Sequence, residues 1–514
     1  MNRREFLQFL GVSGVLASLP ACTTQTSKIP PVLPHLPPIT EDKVITVSGL
    51  DYKILIRWQD AINSKDKFGH NNDFIAFHPL EKDRGIMWVN HEYVTPLFIR
   101  GTARTRANID QEMTEVGGSL LEVKKENDQW QVVKDSAYNR RLNGNTKIPF
   151  AWNTKIRGST HGIGTMGNCA GGYTPWGTFL TCEENYDMFW GERTSNGVMD
   201  PNCWLQWNKY YPRDPEHYGW VVEVEPLTGK SKKLVSLGRC AHECAAVTKG
   251  KNGKVVAYTG DDAAYEHLYK FISDSEDSLE KGNLYVANLE KGQWISLRRE
   301  DHPILMKKFK NQTDIQIYVR EAAKLVGATP LDRPEDIEFD PLTGNVLIAL
   351  TNNKTANNYH GSILKIMEEG NDPASLTFKH GTFLTGGTET GFACPDNLLF
   401  DPKGNLWFTT DIAGGSANKG PYEPFGNNGL FVFLRSGTFA GEVIRVASAP
   451  TDAEFTGPCF SPDYKTLFLS VQHPGEYSES LNKLSSTWPD GGIPKPAVIT
   501  VEGPLLDKII SGKL

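Results

Sequence analysis

The sequence lacks several patterns that mark common protein classes. It contains no Cys-x-x-Cys pair, which argues against a zinc ribbon. No strongly basic region stands out, and a net charge of -7 argues against a protein that coats nucleic acid. Long amphipathic helical patterns are scarce. The apolar run at 9–19 is too short to span a bilayer as a mature helix.

The first 25 residues resemble an export signal. Arg3 and Arg4 precede the short apolar run, as in twin-arginine signals, so the twin-arginine export machinery is an expected partner. The segment 19–22 also resembles a bacterial lipobox with Cys22 as the lipidated residue, and a plain signal cleaved near Ala21 is the alternative. We therefore expect an exported protein that is periplasmic, lipid-anchored at the membrane or secreted.

The remainder of the chain favours a turn-rich β protein. Gly (48), Pro (31) and Trp (12) are frequent, and an apolar–Asp–Pro–turn–strand pattern recurs. Phe339, Phe400 and Phe460 begin three copies of it, 61 and 60 residues apart. About four strands per period predict a β-propeller with six or seven blades, the alternative being two β-sandwich domains.

The domain boundaries follow from these patterns. We expect a signal at 1–25, a linker rich in Pro, Ser and Thr at 26–42, and a single propeller domain at 43–514. Loop insertions and short helical insertions, at 318–327 and 478–485, complete the prediction. Seven cysteines remain without Cys22, and this odd number predicts at least one free or metal-bound thiol.

Acidic, amide and thiol side chains collect near the ends of the predicted strands. Equivalent strand ends of different blades converge in a propeller, so these side chains are expected to share one mouth. Unpaired carboxylates repel one another there unless cations neutralise them, and oxygen-rich sites suit calcium. A thiolate such as Cys182, which stands beside two glutamates, favours iron. The candidates are Asn90, Glu92, Cys182, Glu184, Glu243, Asp261, Glu335 and Asp396.

Each candidate alone also has an ordinary structural explanation. A strand-end Asp usually forms a turn, and the segment 90–92 is compatible with a solvated loop. Only the number of such segments, spread over some 300 residues, indicates a site.

Seven ordered motifs make the chain resemble the PhoX-type alkaline phosphatases, exported bacterial enzymes with a six-bladed propeller. The motifs lie at 87–93, 176–185, 237–243, 332–335, 349–353, 395–397 and 472–476. The resemblance implies a metal-dependent phosphomonoester hydrolase that acts on small phosphoesters outside the cytoplasm. It also implies a cofactor cluster of ferric iron (Fe3+) and calcium.

The resemblance implies a role for each candidate residue. Arg333 is similar to the residue that holds the substrate phosphate, and Cys182 to the thiolate ligand of iron. Glu243 and Glu335 are similar to carboxylate ligands. The implied calcium or shared ligands are Asn90, Glu92, Glu184, Asp261 and Asp396. Cys240, Cys244 and Asp336 depart from the family pattern and leave substrate preference open.

Two other functions stay open on the residues alone. One is a calcium-dependent propeller esterase or lactonase, and the other is a non-catalytic binding propeller that metals merely stabilise. Iron together with calcium favours the phosphatase, whereas calcium alone favours the alternatives. In each case we expect a monomer that touches the membrane only through a lipid anchor and binds no nucleic acid.

Overall fold

Six small antiparallel sheets account for most of the secondary structure in residues 34–514. The structure, a computed structural model, describes residues 32–200 and 203–514. The predicted signal, Cys22 and the first part of the predicted linker lie outside the described residues.

Each sheet is one blade, and blades 1 to 6 follow the chain order. Blade 1 consists of Asn72–Glu81, Arg84–His91, Gly117–Glu126, Gln129–Val132 and Arg140–Leu142. Blade 2 consists of Asn168–Tyr173, Phe179–Glu183, Val221–Val224 and Ser231–Leu234. Blade 3 consists of Ala246–Lys249, Val255–Gly260, Leu268–Ser273, Gly282–Asn288 and Gln293–Ser296.

The second half of the ring has the same organisation. Blade 4 consists of Pro334–Phe339, Val346–Leu350, Ser362–Glu368 and Phe378–Thr385. Blade 5 consists of Pro395–Phe400, Leu406–Thr410, Gly429–Phe433, Val443–Ser448 and Ile45–Thr46. Blade 6 consists of Glu454–Phe460, Leu467–Gln472, Ala497–Glu502 and Asp51–Arg57.

A closed ring is formed by one strand from each blade, here called the inner strand. It is the first strand given above for each of the six blades, for example Asn72–Glu81 in blade 1 and Glu454–Phe460 in blade 6. Each contacts the inner strand of the next blade, and that of blade 6 contacts that of blade 1. Apolar cores fill the spaces between neighbouring blades. The predicted six-bladed propeller is confirmed, and the alternative of two β-sandwich domains is wrong.

Residues before blade 1 complete the last two blades. Asp51–Arg57 pairs with Ala497–Glu502 in blade 6, and Ile45–Thr46 pairs with Val443–Ser448 in blade 5. Part of the predicted linker is also fixed, because the Leu36 backbone N–H donates to the Arg445 carbonyl at 3.0 Å. The two ends of the propeller sequence are thereby joined by backbone hydrogen bonds.

A β-bulge interrupts the start of the inner strand in four blades. The register shifts at Asn72/Ile75, Asn168/Gly171, Pro334/Ile337 and Pro395/Leu398. A bulge bends the strand and re-aims the side chains within it. The first residue inside each of these bulges, namely Asp73, Cys169, Glu335 or Asp396, leaves the regular alternation and faces one common cavity.

Helices are confined to short insertions, and among the described residues none is long and apolar enough to cross a membrane. The α-helices are Pro96–Ile99, Arg106–Glu115, Asp187–Trp190, Pro303–Lys308, Gln312–Ile317, Val319–Leu325 and Pro504–Ile510. The 3-10 helices are Trp207–Lys209, Pro215–His217, Val235–Leu237, Arg299–Asp301, Lys354–Ala356, Glu369–Asn371 and Gly420–Phe425. Short strand pairs, Lys147–Pro149 with His161–Ile163 and Glu192–Arg193 with Met199–Asp200, lie outside the blades.

One predicted helical insertion is present and the other is absent. Val319–Leu325 falls within the predicted 318–327. The segment 478–485 forms turns instead, so that prediction is wrong. Its backbone is held by an isolated bridge between Ser480 and Lys483 and by a bond from the Ser485 N–H to the Ser478 hydroxyl, which replace helical hydrogen bonds.

Ring closure predicts that a single apolar side chain of the N-terminal strand stabilises the whole propeller. Ile56 is buried in the core between blades 6 and 1, against Phe468 and Val498. We expect Ile56→Ala to lower the free energy of unfolding by about 2–4 kcal/mol, measured by urea denaturation. Lys53→Ala, at an exposed position of the same strand, is the control and should change it by less than about 0.5 kcal/mol. Equal effects of the two variants would contradict this role of the strand.

Candidate active site at the centre of the propeller

Each of the six blades brings one acidic or thiol side chain to the same end of its inner strand. In blades 1, 2, 4 and 5 this residue is the second of the strand, in blade 6 it is the first, and in blade 3 it lies three residues before the strand. These residues are Asp73, Cys169, Glu243, Glu335, Asp396 and Glu454.

A second set of polar side chains follows the next strand of five blades. Because adjacent strands are antiparallel, the end of one lies beside the start of the other. In blade 2, for example, Asn168 pairs with Glu183, and the Glu184 carboxylate just beyond this pair lies within 4.8 Å of Cys169 Sγ. The members of this second set are Glu92, Glu184, Asp262, Asp411 and His473.

Both sets face one cavity of about 200 Å³. Its walls carry ten carboxyl groups, whereas the only basic side chains among the described lining residues are Arg333 and His473. The carboxyl groups belong to Asp73, Glu92, Glu184, Glu243, Asp262, Glu335, Asp396, Asp411, Glu454 and Glu476.

The single thiol of the cavity, Cys169, lies between two carboxyl groups. Its Sγ is 3.3 Å from Asp73 Oδ2 and 3.3 Å from Glu243 Oε1. The cavity contains three groups of three potential ligand atoms. Within each group the atoms lie within 4.8 Å of one another, and Cys169 belongs to two of the groups. The groups are Asp73–Glu92–Cys169, Cys169–Glu184–Glu243 and Glu243–Asp262–Glu335.

Burial and mutual repulsion disturb the ionisation of these side chains. Burial, and then the Glu92 charge, raises the pKa of Asp73 to about 7. Burial raises the pKa of Glu243 well above its usual value, and the neighbouring Glu335 raises it further. Burial is also the largest cause of a raised pKa at four further carboxyl groups, those of Glu184, Glu335, Asp396 and Glu454. Without a cation, therefore, the cavity disfavours the charged form of its own ligands.

Arg333 is anchored at the cavity wall by three carboxylates. Its Nε and Nη2 donate to Asp262 Oδ1 and Oδ2 at 2.9 and 2.7 Å, and Nη2 is 2.9 Å from Glu335 Oε1. The contact between Nη1 and Asp411 Oδ2 is the longest of the set, at 3.6 Å. The residue stands in the left-handed backbone region, with φ at 56°, immediately before Pro334. This conformation is rare for a residue other than glycine, and the guanidinium is held in the cavity wall by Asp262 and Glu335.

The structure brings six of the sequence-predicted site residues into this cavity and leaves three outside it. The six are Glu92, Glu184, Glu243, Arg333, Glu335 and Asp396. Those outside are Asn90, Cys182 and Asp261.

The placement of Cys182 corrects the predicted thiolate ligand. Cys182 is fully buried in the apolar core between blades 2 and 3, with Leu180 and Val221. Side chains alternate along a strand, so Cys182 points to the same face as Leu180 and away from Glu183. Of the two neighbouring glutamates, which suggested a ligand, Glu183 pairs with the buried Lys233, and Glu184 lies beyond the end of the strand and lines the cavity. Cys169 is the thiol that faces the cavity.

Asp261 and Asn90 are engaged in structural contacts. The Asp261 carboxylate accepts from Arg320 Nε at 2.8 Å and from the Ala241 backbone N–H, so it already has a cationic partner. The Asn90 amide accepts from Trp88 Nε1 and donates to the Ala170 carbonyl at 3.0 Å. Asn90 thus supports the backbone beside Cys169 instead of serving as a ligand in this cavity.

Several cavity residues were absent from the sequence-derived ligand set. They are Asp73, Cys169, Asp262, Asp411, Glu454 and His473. The signal that identifies the first two is position: they stand second in their inner strands, like Glu335 and Asp396. Asp262, Asp411 and His473 follow the second strand of their blades, but a pattern of apolar and acidic residues does not fix exactly where a strand ends.

The fold and the cavity together define a six-bladed propeller whose centre combines a surplus of carboxylates with one thiol and one arginine. The sequence profile of the family described as "Alkaline phosphatase PhoX" matches residues 33–475. The chain therefore belongs to the PhoX alkaline phosphatase family, and the predicted class of enzyme, a phosphoester hydrolase, is confirmed.

A solved structure supports the same assignment. The chain is 30% identical to Pseudomonas fluorescens PhoX in complex with vanadate, a transition state analogue, with a TM-score of 0.82 over 94% of this chain and 98% of that one. No curated protein matches the chain by sequence.

More distant propellers share little with this chain. A Dyadobacter fermentans protein of unknown function has a TM-score of 0.40 at 11% identity, covering 89% of this chain and 100% of that one. A gluconolactonase from Xanthomonas campestris has a TM-score of 0.38 at 11% identity, covering 92% and 99%. Similarity at this level does not bear on the lactonase alternative.

The raised carboxyl pKa values predict a pH-dependent effect of cation removal. In the cation-free protein a raised folded-state pKa stabilises the fold at acidic pH, and this contribution disappears as pH rises from about 4 through about 7 for Asp73. The loss is about 1.4 kcal/mol per group and pH unit within that window. We expect chelator treatment to lower the Tm much more at about pH 8 than at about pH 5.5. An equal decrease at both pH values would contradict a cation-neutralised cavity.

Proposed function

We propose that this protein hydrolyses phosphomonoesters outside the cytoplasm, with iron and calcium ions held in the central cavity. The observation that carries the proposal is the convergence of Asp73, Cys169, Glu243 and Glu335 beside Arg333 in one cavity. Phosphoester hydrolysis in water is extremely slow, so an enzyme must stabilise a highly anionic transition state. A set of cations and one arginine supplies that stabilisation.

The residues of the cavity fit resident metal ions. Buried oxygens of Asp73, Glu243 and Glu454 have no hydrogen-bond partner in the described structure. Such unpaired buried oxygens are costly unless a cation binds them. Carboxylates select hard ions such as calcium and ferric iron, and a thiolate suits the transition metal of the two. We assign the two groups that contain Cys169 to iron and the all-carboxylate group, Glu243–Asp262–Glu335, to calcium.

When bound, these ions neutralise phosphate oxygens and activate an oxygen nucleophile. The chain itself orients the substrate. Arg333 carries a planar guanidinium fork whose Nε and Nη2 donate to Asp262, which leaves Nη1 to donate to a phosphoryl oxygen. Asp262 and Glu335 hold this fork in place, and the weakly engaged Nη1 is the nitrogen most available to a phosphate. The complex of the Pseudomonas fluorescens relative with vanadate, a transition state analogue, supports a phosphoryl-transfer function for this chain.

The cysteines support export of a folded, metal-loaded protein. All seven cysteines in the described part of the chain are unpaired. Free thiols suit folding in a reducing compartment, where disulfides are rare. We therefore propose export by the twin-arginine route after folding in the cytoplasm, and lipidation of Cys22 remains part of this proposal.

Replacing Arg333 tests the phosphate-binding role. We expect Arg333→Ala to lower kcat/KM for a chromogenic phosphomonoester by about 10²–10³, the usual cost of removing one transition-state donor. Arg333→Lys should have a kcat/KM between those of wild type and Arg333→Ala, because lysine keeps the positive charge but lacks the planar guanidinium. Arg435→Ala, which removes an ion pair with Asp340 outside the cavity, is the matched control and should retain activity. Unchanged kinetics in Arg333→Ala would remove Arg333 from the site.

Two cysteine variants separate the cavity thiol from the core thiol. We expect Cys169→Ser to lose most bound iron and any thiolate-to-iron absorption band, because its Sγ faces the carboxylates. Cys182→Ser should keep both and lose only stability, by about 1 kcal/mol. Metal analysis and visible spectra of protein exported in its native host measure these outcomes. Iron retained in Cys169→Ser but lost in Cys182→Ser would reverse the assignment.

A further inference from the structure

One side chain of the cavity wall is exposed and aromatic instead of buried and acidic. Tyr477 lines the same cavity as Arg333, and its side chain is 51% exposed. Glu335 and Glu454, by contrast, are buried. Tyr477 therefore lies where the cavity opens to solvent, which is where the alcohol part of a phosphoester bound at Arg333 must project.

The ring of Tyr477 lies flat on a glycine pair. A Cβ atom added to Gly414 would be 3.0 Å from Cδ2 and from Cε2 of the ring, and one added to Gly415 would be 3.0 Å from Cε1. Atoms on both sides of the ring thus rest on the 414–415 backbone, and any side chain there would push the ring away. One face is consequently covered, and the exposure belongs to the other.

The position of this ring is fixed by polar contacts. The Tyr477 backbone N–H donates to Asp452 Oδ2 at 3.3 Å, and the same carboxylate oxygen accepts from the Ser485 hydroxyl. The ring itself is held by its packing on the backbone of Gly414 and Gly415. A fixed ring loses little conformational entropy when a flat ligand stacks on it.

A second aromatic side chain lines the same cavity. Tyr93 is one of its lining residues, and its hydroxyl donates to Glu476 at 2.6 Å. Trp204, which is 55% exposed, packs edge-on against Tyr93 with ring centroids 6.4 Å apart. Tyr93 and Tyr477 thus give the cavity wall two planar, weakly polar surfaces, whereas most of its other side chains are carboxyl groups.

We propose that the open face of Tyr477 stacks on a planar ring in the alcohol part of the substrate, so that the preferred substrates are phosphomonoesters of ring-bearing alcohols such as nucleosides. This inference rests on the proposed function, because Arg333 must hold the phosphate. Stacking of a base on an aromatic side chain commonly changes binding by about tenfold or more, and it tolerates different rings. A sugar phosphate without a base makes no such contact.

Two substrates with the same scissile bond test the proposal on the metal-loaded protein. Adenosine 5′-monophosphate and ribose 5-phosphate both release a ribose 5′-hydroxyl, so the chemistry of the leaving group is matched. We expect kcat/KM to be about tenfold higher for the nucleotide. Tyr477→Ala should bring the ratio close to one mainly through KM, and Tyr477→Phe should preserve it because the ring face remains.

Control variants keep the outcome decisive. Tyr464→Ala removes a partly exposed tyrosine that follows the opposite end of the blade 6 inner strand, and it should leave the ratio unchanged. Inorganic phosphate should inhibit wild type and Tyr477→Ala equally, because it carries no ring. Equal kcat/KM for the two substrates in wild type, or a preference that survives Tyr477→Ala, would overturn the inference alone. Hydrolysis of neither substrate would overturn the proposed function and this inference with it.

Discussion

The mutual repulsion of carboxylates at the centre of a closed ring is the constraint on which the site depends. Ten carboxyl groups face one cavity, and only Arg333 and His473 oppose them among its described walls. Burial lowers the pKa of His473, but Glu476 and Glu454 outweigh this effect and raise it well above its ordinary value, so this imidazole is held in its charged form. Two positive charges leave most of the repulsion uncompensated, so the carboxyl groups either hold protons or bind the cations proposed above.

Because the ring is closed, the blades cannot separate to relieve the repulsion between their carboxyl groups. Each inner strand contacts two others, and the pairing of Asp51–Arg57 with Ala497–Glu502 joins the two ends. The apolar cores between blades therefore provide the stability that offsets an unfavourable centre. The bulges at the inner strands complete this arrangement, because they direct Asp73, Cys169 and Glu335 inward without disturbing those cores.

The fold was more predictable than the ligand set, for a physical reason. The spacing of about 60 residues between Phe339, Phe400 and Phe460 reflects repeated burial of apolar strands in the last three blades. Ligand geometry depends instead on single residues at bulges and strand ends. Glu335 and Asp396, predicted from acidic groups beside the strands, do line the cavity. Cys182, predicted as a ligand, lies in an apolar core instead, and Cys169, which was not a candidate, lines the cavity. Composition alone does not tell which face of a short strand a thiol occupies, because a one-residue change of register exchanges the faces.

The contrast between Cys169 and the other thiols explains how one chain combines a reactive centre with an inert interior. Cys182, Cys240 and Cys244 are fully buried in apolar cores, where thiols serve as small hydrophobic side chains. Burial raises the pKa of Cys169 as well, and the Asp73 and Glu243 charges raise it further, so without a metal this thiol is protonated and a poor nucleophile. On the proposed function, metal binding at Cys169 would both activate the centre and protect this thiol in an oxidising compartment. Cys182, Cys240 and Cys244 are protected instead by their burial in apolar cores.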